Sequence, residues 1–151
     1  MGNWEHRHRV IMAVFLIFIE DGKILLLKRK NTGYKDGWYS LPSGHADGDE
    51  PAIQAACREG NEEVGVVLKS DDWRLVHTMH ERAEGHERIN LGFEVLRYEG
   101  VLENKEPHKC SELRWASLED LPEKTVDQVK FFVRAYKRKR PYSDFNFGDT
   151  I

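Results

Sequence analysis

Cysteine is scarce in this chain of 151 residues, which holds only Cys57 and Cys110, far apart and without a CxxC pair. That argues against a disulfide framework and a structural zinc motif. A reduced, cytoplasmic protein is the simplest expectation. Charge of one sign is missing too: charged residues make up 32%, yet the formal net charge is −3. No global attraction to nucleic acid or an anionic membrane follows. A membrane-length apolar run is also lacking. VIMAVFLIFI, residues 10–19, is too short to span a bilayer. It follows Arg7 and Arg9, as a signal peptide's core would, but ends at Glu20-Asp21-Gly22 without a small-residue cleavage pattern. A buried strand is expected instead. No internal repeat, linker or low-complexity block divides the sequence, so a single domain over 1–151 is expected.

What is present reads as alternating strands and helices. VIMAVFLIFI, a turn at Asp21-Gly22 and KILLLKRK predict a β-hairpin with both arms central. The stretch NTGYKDGWYSLPSGHADGDE is rich in Gly, Asp, Ser and Pro and predicts a long functional loop. A helix is predicted from about Glu50 to Val64, with Pro51 at its first position and Gly65 as its stop. WRLVHTMHE and ERINLGFEVLRYE predict two strands joined near Ala83-Glu84-Gly85, and LRWASL a third. A second helix is expected from Glu123 to Lys139, then an irregular tail, PYSDFNFGDTI.

The first helix carries an unusual stretch, REGNEEVGV, residues 58–66. Taking Glu59 as 0°, a helical turn of about 100° per residue puts Glu62 near 300° and Glu63 near 40°. The three carboxylates form one stripe. Ile53, Cys57, Gly60 and Val64 fall between about 100° and 160°, a narrow apolar stripe expected to face the core. Glycine within a helix costs about 1 kcal/mol relative to alanine. Close approach of the helix backbone to a sheet would explain Gly60. A solvated acidic face is the plain explanation of the glutamates. Against it stand the interleaved Arg58 and the glycine-rich loop that precedes the helix. Clustered hard oxygens are what Mg²⁺ or Mn²⁺ requires, and a divalent ion relieves their repulsion.

Gly44, Glu50, Arg58-Glu59, Glu62-Glu63 and Gly65-Val66 are spaced so that residues 44–66, GHADGDEPAIQAACREGNEEVGV, resemble the Nudix box. The preceding LPSG resembles its usual lead-in. Gly60 is the one departure, since that position usually holds a larger apolar residue. The resemblance implies an α/β/α sandwich with a mixed central sheet and two main helices. It also implies metal-dependent hydrolysis of a nucleoside diphosphate linked to a further group. In that frame Gly44 (through its carbonyl), Glu59, Glu62 and Glu63 would hold Mg²⁺ or Mn²⁺. Glu59 is a ligand or the general base, and Arg58, with Glu50, orients it. Glu112 is the candidate for a further carboxylate from a later loop.

Substrate choice is less defined. Within the resemblance, the lack of a tyrosine about 16 to 18 residues past the box, where Arg82, Ala83 and Glu84 stand, reads against a diadenosine polyphosphate, and the lack of a proline near it reads against ADP-ribose. A small MutT-like chain remains, implying a nucleoside triphosphate cut to monophosphate and pyrophosphate. Arg29 is a candidate phosphate contact; Tyr34 and Trp38 are candidates for stacking on a base. Phe93 and Asn90 are candidate pocket residues. His77 and His80, three apart on a strand, face opposite ways and make a poor ligand pair. The expected partner is a small nucleotide, with neither nucleic acid nor membrane, and the chain a monomer or homodimer. A non-catalytic nucleotide-binding or sensor module is the alternative. An RNA-end hydrolase, suggested by the basic run Lys137 to Arg140, is a third reading.

Overall fold

The computed structural model describes residues 4–148. In chain order its strands and helices are β1 (Ile11–Ile17), β2 (Ile19–Glu20), β3 (Lys23–Arg29), β4 (Tyr39–Ser40), β5 (Ser43–His45) and α1 (Ala52–Val64). Then come β6 (Trp73–Ala83), β7 (His86–Val95), β8 (Cys110–Ser117), α2 (Asp127–Lys137) and β9 (Tyr142–Phe145). One mixed sheet runs β5-β1-β7-β6-β9, with β1 parallel to β7 and β6 parallel to β9. The second centres on β3, with β8 along one edge and β2 and β4 along the other.

From Ala13 onward β1 is buried on both faces, which accounts for its apolar run. Phe15 and Ile17 join the core beneath α2, with Phe131 and Phe132. Val14 and Leu16 join the core beneath α1, with Ala55, Ala56 and Val64. β3 divides its side chains the same way, Ile24 and Leu26 toward α2 and Leu25 toward α1. Two helices thus enclose the sheets, as the Nudix resemblance implied.

Three predicted elements differ. The N-terminal hairpin is shorter than expected, because the apolar run divides at Phe18 between the two sheets. Only β2 folds back on β3, through Asp21 and Gly22, both at positive φ. The second helix begins at Asp127, four residues later than predicted. Tyr39 holds the preceding segment extended, donating its N–H to Lys124 O and accepting from Val126 N–H. The tail is not irregular: β9 pairs in parallel with β6, Thr78 to Glu81 against Tyr142 to Phe145. His77 secures it from the buried side, its ring within hydrogen-bonding distance of Arg140 O (2.6 Å) and Ser143 Oγ (2.7 Å). The last residues of the predicted tail, 149–151, lie outside the described residues.

The predicted stop of α1 is where it was expected. Gly65 is left-handed, at φ 75°, and its N–H bonds Asn61 O.

Candidate active site

α1 packs against β1 and β5 through Ala55, Ala56, Gly60 and Val64, which are buried. The wheel placed the packing stripe too far round: Ile53 is 38% exposed. On the wheel buried Ala55 lies on one side of Glu63 and buried Ala56 and Gly60 on the other, so the helix turns its carboxylate edge partly inward. Gly60 does face the core, and a Cβ there would stand 2.7 Å from Leu68 Cδ1.

Close packing brings Glu59 against β5, where a Cβ on Gly44 would overlap the Glu59 carboxylate. Glu63 accepts the Ser43 N–H at 2.8 Å. Arg58 binds the cluster together. It donates to Glu50 through Nε (3.0 Å) and Nη2 (3.1 Å), a bidentate clasp, and to His45 O at 3.0 Å. Its Nη1 donates to Glu59 at 2.8 Å and Glu62 at 3.4 Å. The helix is thereby tied back to the loop that enters it.

The electrostatics of the neighbours diverge. The Arg58 guanidinium is held protonated even more firmly than usual, chiefly by Glu50, and Glu50 is held below the usual carboxylate range by Arg58. Burial pushes the Glu59 carboxyl up, against the pull of Arg58. Burial pushes Glu63 well up, with Glu59 and Glu106 adding repulsion and the Ser43 N–H opposing. Glu106, in the loop between β7 and β8, pairs with Lys109 at 3.2 Å.

Glu59, Glu62, Glu63, Glu106, Arg58 and Lys109 all line one cleft of about 420 Å³. Among the described residues no three ligating side chains converge as a ready-made metal site. The donor set nonetheless fits a hard divalent cation: clustered carboxylates, two of them desolvated, are what such an ion would keep ionised.

Other predicted residues fall in different places. Glu112 is not brought to this cleft. It stands opposite Lys28 in the β3–β8 register and its carboxylate accepts from Tyr39 Oη. Adjacent strand positions face opposite ways, so Arg29 lines the cleft and Lys28 does not. Arg29 also lines a larger cavity of about 680 Å³, together with Tyr34 and Asn90. Its Nε donates to Tyr34 O at 2.7 Å and its guanidinium lies over the Tyr34 ring. Trp38 packs against the core beneath α2, and Phe93 is buried beside Trp73 in the core beneath α1; neither lines either of these two cavities. His77 and His80 keep separate partners, His80 bonding Glu87 at 2.8 Å.

Sequence reasoning missed Glu106, which no fixed spacing connects to the helix. It also missed Glu81, whose only signal was an acid two positions from Met79 on a buried strand face.

The NUDIX domain model matches residues 7–135. The chain belongs to the NUDIX family. Its activity is of the pyrophosphohydrolase class, acting on acid anhydrides. It is 32% identical over 127 residues to the ADP-ribose pyrophosphatase of Methanocaldococcus jannaschii, covering 84% of this chain and 73% of that one. It is 29% identical over 113 residues to the CTP pyrophosphohydrolase of Escherichia coli, covering 74% and 79%. Among solved structures, the MutT NUDIX hydrolase of Burkholderia pseudomallei aligns with TM-score 0.75 at 27% identity, covering 84% of this chain and 98% of that one. NUDIX hydrolases generally require divalent metal ions. No helix among the described residues is long and apolar enough to cross a membrane.

Proposed function

We propose that this NUDIX protein cleaves a nucleoside triphosphate to monophosphate and pyrophosphate, with Mg²⁺ or Mn²⁺. The observation that carries the reading is the junction of two cavities. The carboxylate cleft and the larger cavity share Arg29 and Ser43, so one ligand can place phosphates in the first and its nucleoside in the second.

Glu59, Glu62 and Glu63, with the Gly44 carbonyl, would hold the cation, and Glu106 supplies the later-loop carboxylate. A divalent ion there would offset polyphosphate charge and stabilise the attacking and leaving oxygens. Glu59 takes a proton from the attacking water as its oxygen bonds to phosphorus and the anhydride bond breaks. Arg58 fixes the orientation of Glu59. Arg29 and Lys109 face the phosphates as cations.

Likeness to an ADP-ribose pyrophosphatase favours a second substrate, ADP-ribose, split to AMP and ribose 5-phosphate by the same groups. The test is product analysis on a panel of nucleoside triphosphates and ADP-ribose, with each divalent ion and with a chelator. Pyrophosphate release that stops on chelation is expected. AMP and ribose 5-phosphate as the main products, without pyrophosphate release, would select ADP-ribose. Tight nucleotide binding without turnover would replace the enzyme reading with a binding module.

A further inference from the structure

The larger cavity holds an unusual buried acid. Its floor is the α2 side of the mixed sheet, where Ala13, Phe15, Glu81, Arg88 and Asn90 line it, and Phe145 and Tyr34 add aromatic walls. Glu81 is 4% exposed and Asn90 is 1% exposed. Asn90 Nδ2 donates to Glu81 Oε2 at 2.8 Å. Among the described residues this is the Glu81 side chain's one hydrogen bond, though a carboxylate can accept about four. Arg88 stands directly across from Glu81 in the strand register, yet its Nε donates to His86 at 2.9 Å. The Arg82 guanidinium lies over the Phe147 ring. Glu81 therefore sits in a cavity wall with acceptor capacity that no cation takes up. Among the described residues no fully buried side-chain oxygen lacks a partner, so the free acceptor capacity of Glu81 opens onto the cavity and can take donors from a ligand there.

Position says which part of a ligand would supply them. Glu81 lies on β6, three strands from β5 in the order β5-β1-β7-β6. Strand spacing puts that separation on the order of 14 Å. The phosphate end lies at β5, beside Ser43 and Gly44, so the far end of the cavity receives the base. We infer that Glu81 and Asn90 read the hydrogen-bond-donating edge of a nucleobase bearing an exocyclic amino group, and select against uracil and thymine. This rests on the nucleotide reading of the site. A carboxylate accepts from an amino group, whereas the two carbonyls flanking the uracil N–H would face it with like partial charge. The aromatic walls suit any base and set no preference.

Binding of CMP and UMP, and of AMP and IMP, to the whole protein tests this without requiring turnover. CMP should bind about ten- to a hundredfold more tightly than UMP, the usual consequence of leaving a buried polar group unpaired. Glu81→Gln, which adds an amide donor of nearly equal size, should bring the ratio to about one or invert it. Equal affinities in the wild type, or an unchanged ratio in a folded Glu81→Gln protein, would overturn the inference. Triphosphate hydrolysis with no base preference would overturn it while leaving the proposed function standing. Amino-base preference without hydrolysis would do the reverse.

Discussion

Helix α1 meets its sheet with small residues and α2 with large ones. On α1, Ala55, Ala56 and Gly60 are buried, and Leu16 and Leu68 fill the space that Gly60 leaves. On α2 the sheet yields instead: Phe132 is fully buried, and a Cβ on Gly92 would overlap its ring. The ring also makes edge contacts with Phe15 and His77 at 5.6 and 5.0 Å. A helix of small residues lets its backbone approach closely, so short carboxylate arms reach β5. A helix of aromatics fixes the layer spacing and contributes burial. The α1 side also carries desolvated glutamates whose raised pKa makes their ionised forms a cost to folding. The α2 side offsets that cost.

The contrast breaks first if α2 proves dispensable. Phe132→Ala should destabilise the protein by about 3–5 kcal/mol, read by chemical denaturation, with turnover per folded molecule preserved below the midpoint. Next, Glu63→Gln should lower kcat by about a hundredfold to a thousandfold while the melting temperature holds or rises. A collapsed melting curve would make Glu63 structural and erase the distinction. Gly44→Ala should displace the Glu59 carboxylate and lower kcat by roughly a hundredfold, again with little change in melting. Gly60→Leu should overpack against Leu68 and cost about 1–3 kcal/mol of stability, showing that the close approach is specific.

The smallest effect is in pH. Burial holds the His77 imidazole below its ordinary range, so the folded state favours its neutral form. Its contribution is complete above the unfolded value, near pH 6.5, and is lost as pH falls through the folded value. The slope from this one proton cannot exceed about 1.4 kcal/mol per pH unit. His77→Gln should flatten stability between pH 6.5 and 5, as denaturant midpoints across that range would show.

The helix-borne half of the site was legible because its signal is local. Residues 44–66 are contiguous, and helical spacing relates Arg58, Glu59, Glu62 and Glu63 without knowledge of the sheets. Gly65 was legible for the same reason. The rest depends on pairing between distant strands. β1 is apolar on both faces, so its pattern lacked the alternation that would have shown where it leaves β2. Glu112 lies three residues before Trp115, and only the β3–β8 register shows that it faces away from the cleft. Glu81 and Asn90 are nine residues apart in sequence, and the β6–β7 turn brings them together. β9 was hidden because parallel pairing with β6 leaves no hairpin signature.

That last strand separates the two cavities in another way. The family match ends at residue 135, yet Phe145 and Asn146, at and beyond the end of β9, form part of the larger cavity's wall. Every residue lining the carboxylate cleft lies within the matched segment, whereas part of the larger cavity's wall lies past it. Substitutions at Phe145 and Asn146 therefore reshape the larger cavity while the carboxylate helix stays as it is.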